Sequence, residues 1–191
     1  MKDTKNILLV GVGGQGTILV SKILSTGLME AGYDVKMSEI HGMAQRGGSV
    51  STQVRYGNEV ASPIIGIGEA DILVSFETME TLRWLEFLKP EGVVVINDYK
   101  IPSAPILMGK VDYPEEIIEL IESKSKTKVI NAGEVAEKLG NTKVMNVVLL
   151  GALIKSMNLT DIDWEGVIKS QVKEQFAEIN IKAFNEGMNA V

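Results

Sequence analysis

Four glycines fall within six positions in Gly11-Val12-Gly13-Gly14-Gln15-Gly16. The segment follows the apolar run Ile7-Leu8-Leu9-Val10 and leads into Gly14 to Ala31, where Ile18, Leu19, Ile23, Leu24 and Leu28 recur at helical spacing. A short apolar run ending at glycine reads as a buried parallel strand. Glycine after it lets the chain turn tightly and lets its backbone approach a ligand with no Cβ in the way. Gly32 stands where a helix C-terminus favours glycine, and Val35 to Ile40 supplies a second strand. Such a β–turn–α–β unit opens a doubly wound sheet. The expected fold class is therefore α/β, three-layered, with a doubly wound, mostly parallel sheet.

The rest of the chain extends this pattern. Ser49 to Tyr56 alternates in character and is rich in β-branched residues, which predicts a strand; Glu59 to Ala61 could pair back after the Gly57-Asn58 turn. A hairpin-like piece breaks the βαβ alternation, so a mixed sheet is expected. Asp71 to Phe76 and Val93 to Ile96 read as strands, separated by an amphipathic helix over Met79 to Leu88 that Lys89-Pro90-Glu91-Gly92 should end. Residues 101 to 113 read as irregular. Pro114 to Ile121 starts a helix with proline placed early, Lys128 to Ile130 is a short strand, and Glu122 to Lys128 is a solvated charged loop. Asn131 with Glu134 resembles a capping box. Thr142 to Met157 is apolar nearly all round and should be buried, although it is also available for a homodimer contact. Trp164 to Ser170 and Val172 to Met188 complete the helices. No linker interrupts residues 1–191, so one domain is expected.

Two segments carry chemical information. The glycine turn satisfies G-x-G-x-x-G, and the first N–H groups of the helix behind it lack internal partners and favour an anion. It supports two readings, a phosphate site for a nucleotide or coenzyme and a tight turn that binds nothing. The second segment is His41-Gly42-Met43-Ala44-Gln45-Arg46-Gly47-Gly48-Ser49. Arg46 suits a bidentate bond to phosphate or carboxylate, or a pair with an acid of this chain or a partner. Gly47 and Gly48 would let backbone amides face the same ligand. His41 reads as a hydrogen-bonded loop residue rather than a general base. Glu39, ending the second strand, stands where a Rossmann site would place its ribose-binding acid. Asp98 could contact a ligand or cap a turn, and Asn146 reads as a buried, satisfied amide.

Composition excludes several functions. There is no cysteine in 191 residues, so no disulfide, thiol nucleophile, Cys-type zinc site or protein-held iron–sulfur cluster can form. One histidine, His41, is too few for a His-rich metal site. The net charge of -6, with no long basic run, argues against nucleic acid or an anionic membrane as the partner. The N-terminal apolar run is too short for a signal peptide, and Val147 to Ile154 is too short to span a bilayer. A cytoplasmic location is expected.

Together these pieces resemble the gamma-type domain of 2-oxoacid:ferredoxin oxidoreductases, over essentially the whole chain. The likeness lies in the glycine turn (Gly11, Gly13, Gly14, Gln15, Gly16), Arg46-Gly47-Gly48 leading into a strand that ends Val54-Arg55, Ser62-Pro63, Ala70-Asp71, and the pair Asn146 and Gly151. Met43 to Gly48 is most similar to the indolepyruvate branch, whose beta subunit is a free-standing version of this domain. The resemblance implies a fold like domain III of pyruvate:ferredoxin oxidoreductase. It also implies an alpha-subunit partner that holds thiamine diphosphate, Mg²⁺ and [4Fe-4S] clusters. The complex would convert an aryl 2-oxoacid to acyl-CoA and pass electrons to ferredoxin. This chain alone would bind no cofactor, in keeping with its lack of a G-D-G motif followed by paired asparagines. Gly11, Gly13, Gly14, Gln15, Gly16, Arg46, Gly47 and Gly48 would face either the phosphates of coenzyme A, as a shared ligand, or the partner subunit near thiamine diphosphate. The rivals are a stand-alone NAD-binding Rossmann oxidoreductase, with Glu39 on the ribose, the gamma subunit of a pyruvate or other 2-oxoacid enzyme, and a scaffold that only stabilises its partner.

Overall fold

The computed structural model describes residues 4–41 and 47–191. Its elements are β1 (Lys5–Val12), α1 (Thr17–Glu30), β2 (Asp34–His41), β3 (Ser49–Gly57), β4 (Ala70–Ser75), α2 (Thr78–Trp84), β5 (Leu88–Asn97), α3 (Ala104–Leu107), α4 (Ile117–Lys124), β6 (Lys126–Ile130), α5 (Ala132–Lys138), α6 (Met145–Ser156), α7 (Trp164–Gln171) and α8 (Glu174–Asn189). Six strands form one sheet in the order β2-β3-β1-β4-β5-β6. β1, β4, β5 and β6 are mutually parallel neighbours, whereas β3 runs antiparallel to both β1 and β2. The sheet is thus mixed and mostly parallel, as expected. β2 does run parallel to β1, but β3 is inserted between them, which a plain βαβ unit does not allow.

Several local expectations need correction. Residues 58–69 form no strand, so Glu59 to Ala61 does not pair back; the Val60 N–H is held instead by the Asp34 carboxylate at 2.8 Å. The second helix ends at Trp84, and Leu85–Phe87 tightens into a 3-10 turn. Lys89 to Gly92 lies inside β5 rather than outside it. The register with β4 shifts there, Ala70 facing Leu88 and Ile72 facing Val93. An advance of two residues along β4 thus matches an advance of five along β5, and this break in the ladder admits Pro90. Within residues 101–113, Ala104–Leu107 is a short helix, and α4 begins only at Ile117, behind Glu116 in a left-handed conformation. The charged stretch from Glu122 divides between α4 and β6.

Alternation along the strands builds two cores. Ile7 and Leu9 of β1, with Val54, Tyr56, Ile72, Val74 and Val95, face α1 and α5 to α8. Leu8 and Val10, with Leu73, Val94 and Ile96, face α2 and α4. The period of two in a strand sends successive side chains to opposite layers, so a fully apolar run is what a sheet covered on both faces requires.

The helix from Thr142 is the centre of the first layer. Asn146 to Ile154 are all buried. Its partner is α8, and the two helices meet backbone to backbone. A methyl group on Gly151 would overlap the carbonyl oxygen of Phe184, and one on Gly187 would overlap that of Val148. With its faces covered by the chain itself, α6 is not available for the homodimer contact expected of it. Gly151→Ala should force the helices apart and destabilise the protein by about 1–3 kcal/mol, the usual range for overpacking. Urea denaturation of the variant checks this, with a lower midpoint expected at unchanged slope.

Candidate functional site

The carboxyl ends of the parallel strands share one edge of the sheet with the start of β3, because β3 runs the other way. That edge carries the glycine turn, His41, Gly47 to Ser49, Phe76 to Thr78 and Asn97. Open α/β sheets bind ligands on this side.

The turn is shaped by side chains folded inward. Gln15 accepts the Val12 N–H at 2.8 Å through Oε1 and donates to the Phe76 carbonyl at 2.7 Å through Nε2. Gly11 makes room for it: a Cβ there would lie 2.9 Å from Gln15 Oε1 and from Phe76 Cβ. Gly16 caps α1 with φ of 81°, and a side chain on it would strike the Asn146 amide, which donates to the Gly16 carbonyl at 3.1 Å. Asn146 is the buried, satisfied amide expected of it, and what it secures is the glycine turn. Gly14, at φ of 104°, has open space where a Cβ would be.

The two sequence-predicted segments are brought together. Gly13 N–H donates to the Gly48 carbonyl at 2.8 Å, and Gly47 N–H donates to the Gly13 carbonyl at 3.3 Å. Beside them opens a cavity of about 460 Å³ lined by Gly13, Gly14, Gly16, Thr17, Ile18, His41 and Val50. Across the turn lies a second, of about 410 Å³, bordered by Gly14, Gln15, Gly16, Thr142, Lys143, Met145 and Asn146. Of the predicted residues, Gly13, Gly14 and Gly16 therefore line open space. Gly11 and the Gln15 amide are committed to holding the turn. Gly47 and Gly48 anchor their segment to it, and Arg46 lies outside the described residues.

Other candidates resolve differently. Asn97 is a strut, donating to the Phe76 carbonyl at 3.1 Å and accepting the Ala132 N–H at 3.0 Å. Arg55 donates to Asn6 and to the carbonyls of Ser62 and Ile64, so the Val54-Arg55 and Ser62-Pro63 pairs tie one loop to β1. Glu39 is not placed as a Rossmann ribose acid. Its strand is not next to β1, and its carboxylate accepts the buried Ser21 hydroxyl at 2.8 Å. Two acids that the sequence analysis does not single out, Glu77 and Glu80, are buried here. Glu77 caps α2 by accepting the Glu80 N–H at 2.9 Å and also accepts the Tyr113 hydroxyl. Burial, and then this bond to Glu77, push the Tyr113 hydroxyl well above its usual pKa. Glu80 accepts the Ser49 hydroxyl and pairs with Arg83 at 3.3 Å. Among the described residues no group of three or more His, Asp or Glu could hold a metal ion, and no helix is long and apolar enough to cross a membrane. A chain without cysteine does not offer the thiolates an iron–sulfur cluster needs.

Comparison with known proteins shows the family. The model of the pyruvate ferredoxin/flavodoxin oxidoreductase family matches residues 6–190. The chain belongs to that family. Indolepyruvate oxidoreductase subunit IorB of Pyrococcus horikoshii is 38% identical over 191 residues, covering 97% of this chain and 95% of its own. Among solved structures, the gamma subunit of a keto/oxoacid ferredoxin oxidoreductase from Geobacter sulfurreducens superposes with a TM-score of 0.72 at 24% identity, covering 97% of each chain. A 2-oxoglutarate:ferredoxin oxidoreductase from Magnetococcus marinus, solved with 2-oxoglutarate, coenzyme A and succinyl-CoA bound, also reaches 0.72, at 21% identity. It matches all of this chain with 31% of its own. Members of the pyruvate ferredoxin/flavodoxin oxidoreductase family are parts of oxidoreductases, and this chain is a subunit of such an enzyme.

Two outcomes follow from the geometry of this edge. Gln15→Leu keeps the size of the side chain but leaves the Val12 N–H and the Phe76 carbonyl unpaired; a loss of about 1–3 kcal/mol is expected in urea denaturation. Burial is the main cause that raises the Glu80 carboxyl above its ordinary value of 4.5. A raised folded-state pKa contributes stability that is complete below the unfolded value and is lost as pH rises through the folded one. The stability of the wild type relative to Glu80→Gln should therefore decline as pH is raised from about 4.5 towards neutrality; a difference that rises instead would contradict this placement of Glu80.

Proposed function

We propose that this chain is the small beta subunit of an indolepyruvate-type 2-oxoacid:ferredoxin oxidoreductase, acting as one gamma-type domain over residues 1–191. Its work would be to hold the phosphates of coenzyme A beside an active site carried by another chain. The observation that carries the site assignment is the pair of backbone hydrogen bonds between Gly13 and the Gly47-Gly48 segment. They set two glycine segments at the rim of one cavity, on the ligand-binding edge of the sheet. The 38% identity to an indolepyruvate oxidoreductase subunit along nearly the whole chain supports the choice of branch. Coenzyme A in a structural relative of the same fold supports the choice of ligand.

The chemistry divides in a physically sensible way. Thiamine diphosphate, with Mg²⁺, supplies the stabilised carbanion for 2-oxoacid decarboxylation, and in this proposal it resides with the [4Fe-4S] clusters in the alpha subunit. What this chain contributes is binding and orientation. Backbone N–H groups at the start of α1 face the first cavity with no acidic side chain in the first turn to compete for them. Lys143 adds a cation at the second cavity, where a further helix begins. Arg46 and Gly47-Gly48 would complete the grip on the phosphates, and the alpha subunit would pass electrons to ferredoxin.

Against a stand-alone NAD enzyme stands Glu39, which is engaged by Ser21 on a strand separated from β1. Reconstitution with the thiamine-binding partner tests the proposal. Arg46→Ala should raise the KM for coenzyme A by roughly 10- to 100-fold, the loss of a charge-assisted hydrogen bond, while assembly persists. Unchanged coenzyme A dependence and turnover would remove Arg46 from the site. Tight nicotinamide binding by the isolated chain would favour the Rossmann alternative.

A further inference from the structure

Between β5 and α4 the chain makes an excursion that leaves from Asn97, on the sheet edge that carries the glycine turn. Its base is clasped to the start of α2. The Thr78 N–H donates to the Tyr99 carbonyl at 2.9 Å. The Glu77 carboxylate, fully buried, accepts both the Ile101 N–H at 3.1 Å and the Tyr113 hydroxyl through Oε1. The same hydroxyl accepts the Met79 N–H at 3.0 Å, and Lys100 Nζ lies 5.3 Å from the centre of the Tyr113 ring. The tip is ordered within itself. The N–H groups of Leu107 and Met108 donate to the Ser103 and Ala104 carbonyls at 3.0 Å. The Lys110 N–H closes the end of α3 on the Pro105 carbonyl, around Gly109 at φ of 67°. What this built segment displays is apolar: Leu107 is 74% exposed, Met108 69% and Val111 55%.

Large apolar side chains exposed singly are ordinary, but a group of them on one segment marks a contact surface. A slack loop would fold such residues back onto the protein. Here both feet are fixed by one buried carboxylate, and Pro102 and Pro105 fix two φ angles between them. A tip held out in this way has little ordering left to lose on association. We propose that residues 101–113 are the element by which this chain docks on the other subunit of its enzyme, Leu107 and Met108 entering an apolar recess whose rim carries a carboxylate for Lys110. The proposal rests on the reading that the active site is carried by another chain, and it adds where the two chains meet. Charge and placement point to that occupant. Lys100 and Lys110 stand against Asp112 alone between Tyr99 and Tyr113, a positive balance in a chain of net charge -6, so the complementary surface is acidic. A two-fold contact between the tips of two copies of this chain would instead bring like charge to like. The feet stand on residues that follow β4 and β5, so a chain seated on the tip adjoins the edge proposed to hold the coenzyme phosphates.

The test is association of the full chain with the purified thiamine-binding subunit, read by surface binding kinetics and by sedimentation of the mixture. Leu107→Asp combined with Met108→Asp should weaken association by roughly 30-fold or more, the loss expected when a central apolar anchor is removed. Its urea midpoint should match that of the wild type, because both side chains are exposed in the free chain. Lys110→Glu should slow association and reduce its dependence on salt. Tyr113→Phe frees one foot while keeping the ring beside Lys100; it should speed amide hydrogen exchange over residues 101–113 and weaken association together. If wild type associates and the Leu107→Asp, Met108→Asp chain associates equally well, the docking element is wrong while the two-subunit reading stands. If that variant instead turns a wild-type homodimer into a monomer and leaves association with the thiamine-binding subunit unchanged, the occupant is a second copy and the proposal is overturned. If folded wild type does not associate with the thiamine-binding subunit at all, the two-subunit reading fails and takes the docking element with it.

Discussion

The Gln15 side chain spans the gap between the backbone of β1 and the backbone beyond β4, and the edge of the sheet that carries the glycine turn is organised around that bridge. One end of the amide accepts from Val12 and the other donates to Phe76. Both partners are main-chain groups at the ends of buried strands, where an unpaired N–H or C=O is costly. The bridge needs an inward path, and glycine at position 11 leaves it open. It also needs the turn to stay put from behind, which the Asn146 amide achieves by holding the Gly16 carbonyl. In this motif, then, Gly11 and Gly16 make room for the protein's own side chains, whereas Gly14 is left facing open space. A pattern search treats them alike; the structure separates them by what a Cβ would touch.

The insertion of β3 between β1 and β2 changes what the edge can do. In a simple alternation the second strand would lie beside the first and present its terminal acid to a ligand. Here β3 begins at that edge, so the Gly47-Gly48 segment is delivered next to the glycine turn and bonds to it through Gly13. β2 is moved outward, and two of its side chains meet hydroxyls of α1 instead: Glu39 that of Ser21 at 2.8 Å, and Met37 that of Ser25 at 3.6 Å. The same displacement brings His41 to the mouth of the cavity. The one histidine of the chain thereby borders a cavity walled by the glycine turn, the start of α1 and Val50.

Much of this was legible in the residues. The strand at Ile7 to Val10 stands out because burial on both faces leaves no polar residue in it, and the helix behind the glycine turn and the largely apolar helix from Thr142 show in the spacing of their apolar residues. The resemblance carried by the glycine turn together with Arg46-Gly47-Gly48 led to the family that the comparisons show. Less legible were features made by contact between distant segments. β5 runs through Lys89 to Gly92 because the neighbouring ladder shifts register there. Ser21 and Glu39 are eighteen positions apart and are joined only when α1 crosses β2.

The order of residues by itself determined the layers, the glycine turn, the absence of thiolate chemistry and the kinship, since each depends on local periodicity, composition or contiguous motif. Tertiary structure alone decided strand order, the inward direction of Gln15, the commitment of Glu39 to Ser21 and the placing of His41 at the cavity. Those depend on which strand lies beside which, and on where space remains once the helices have packed; neither is a property of any local stretch of chain.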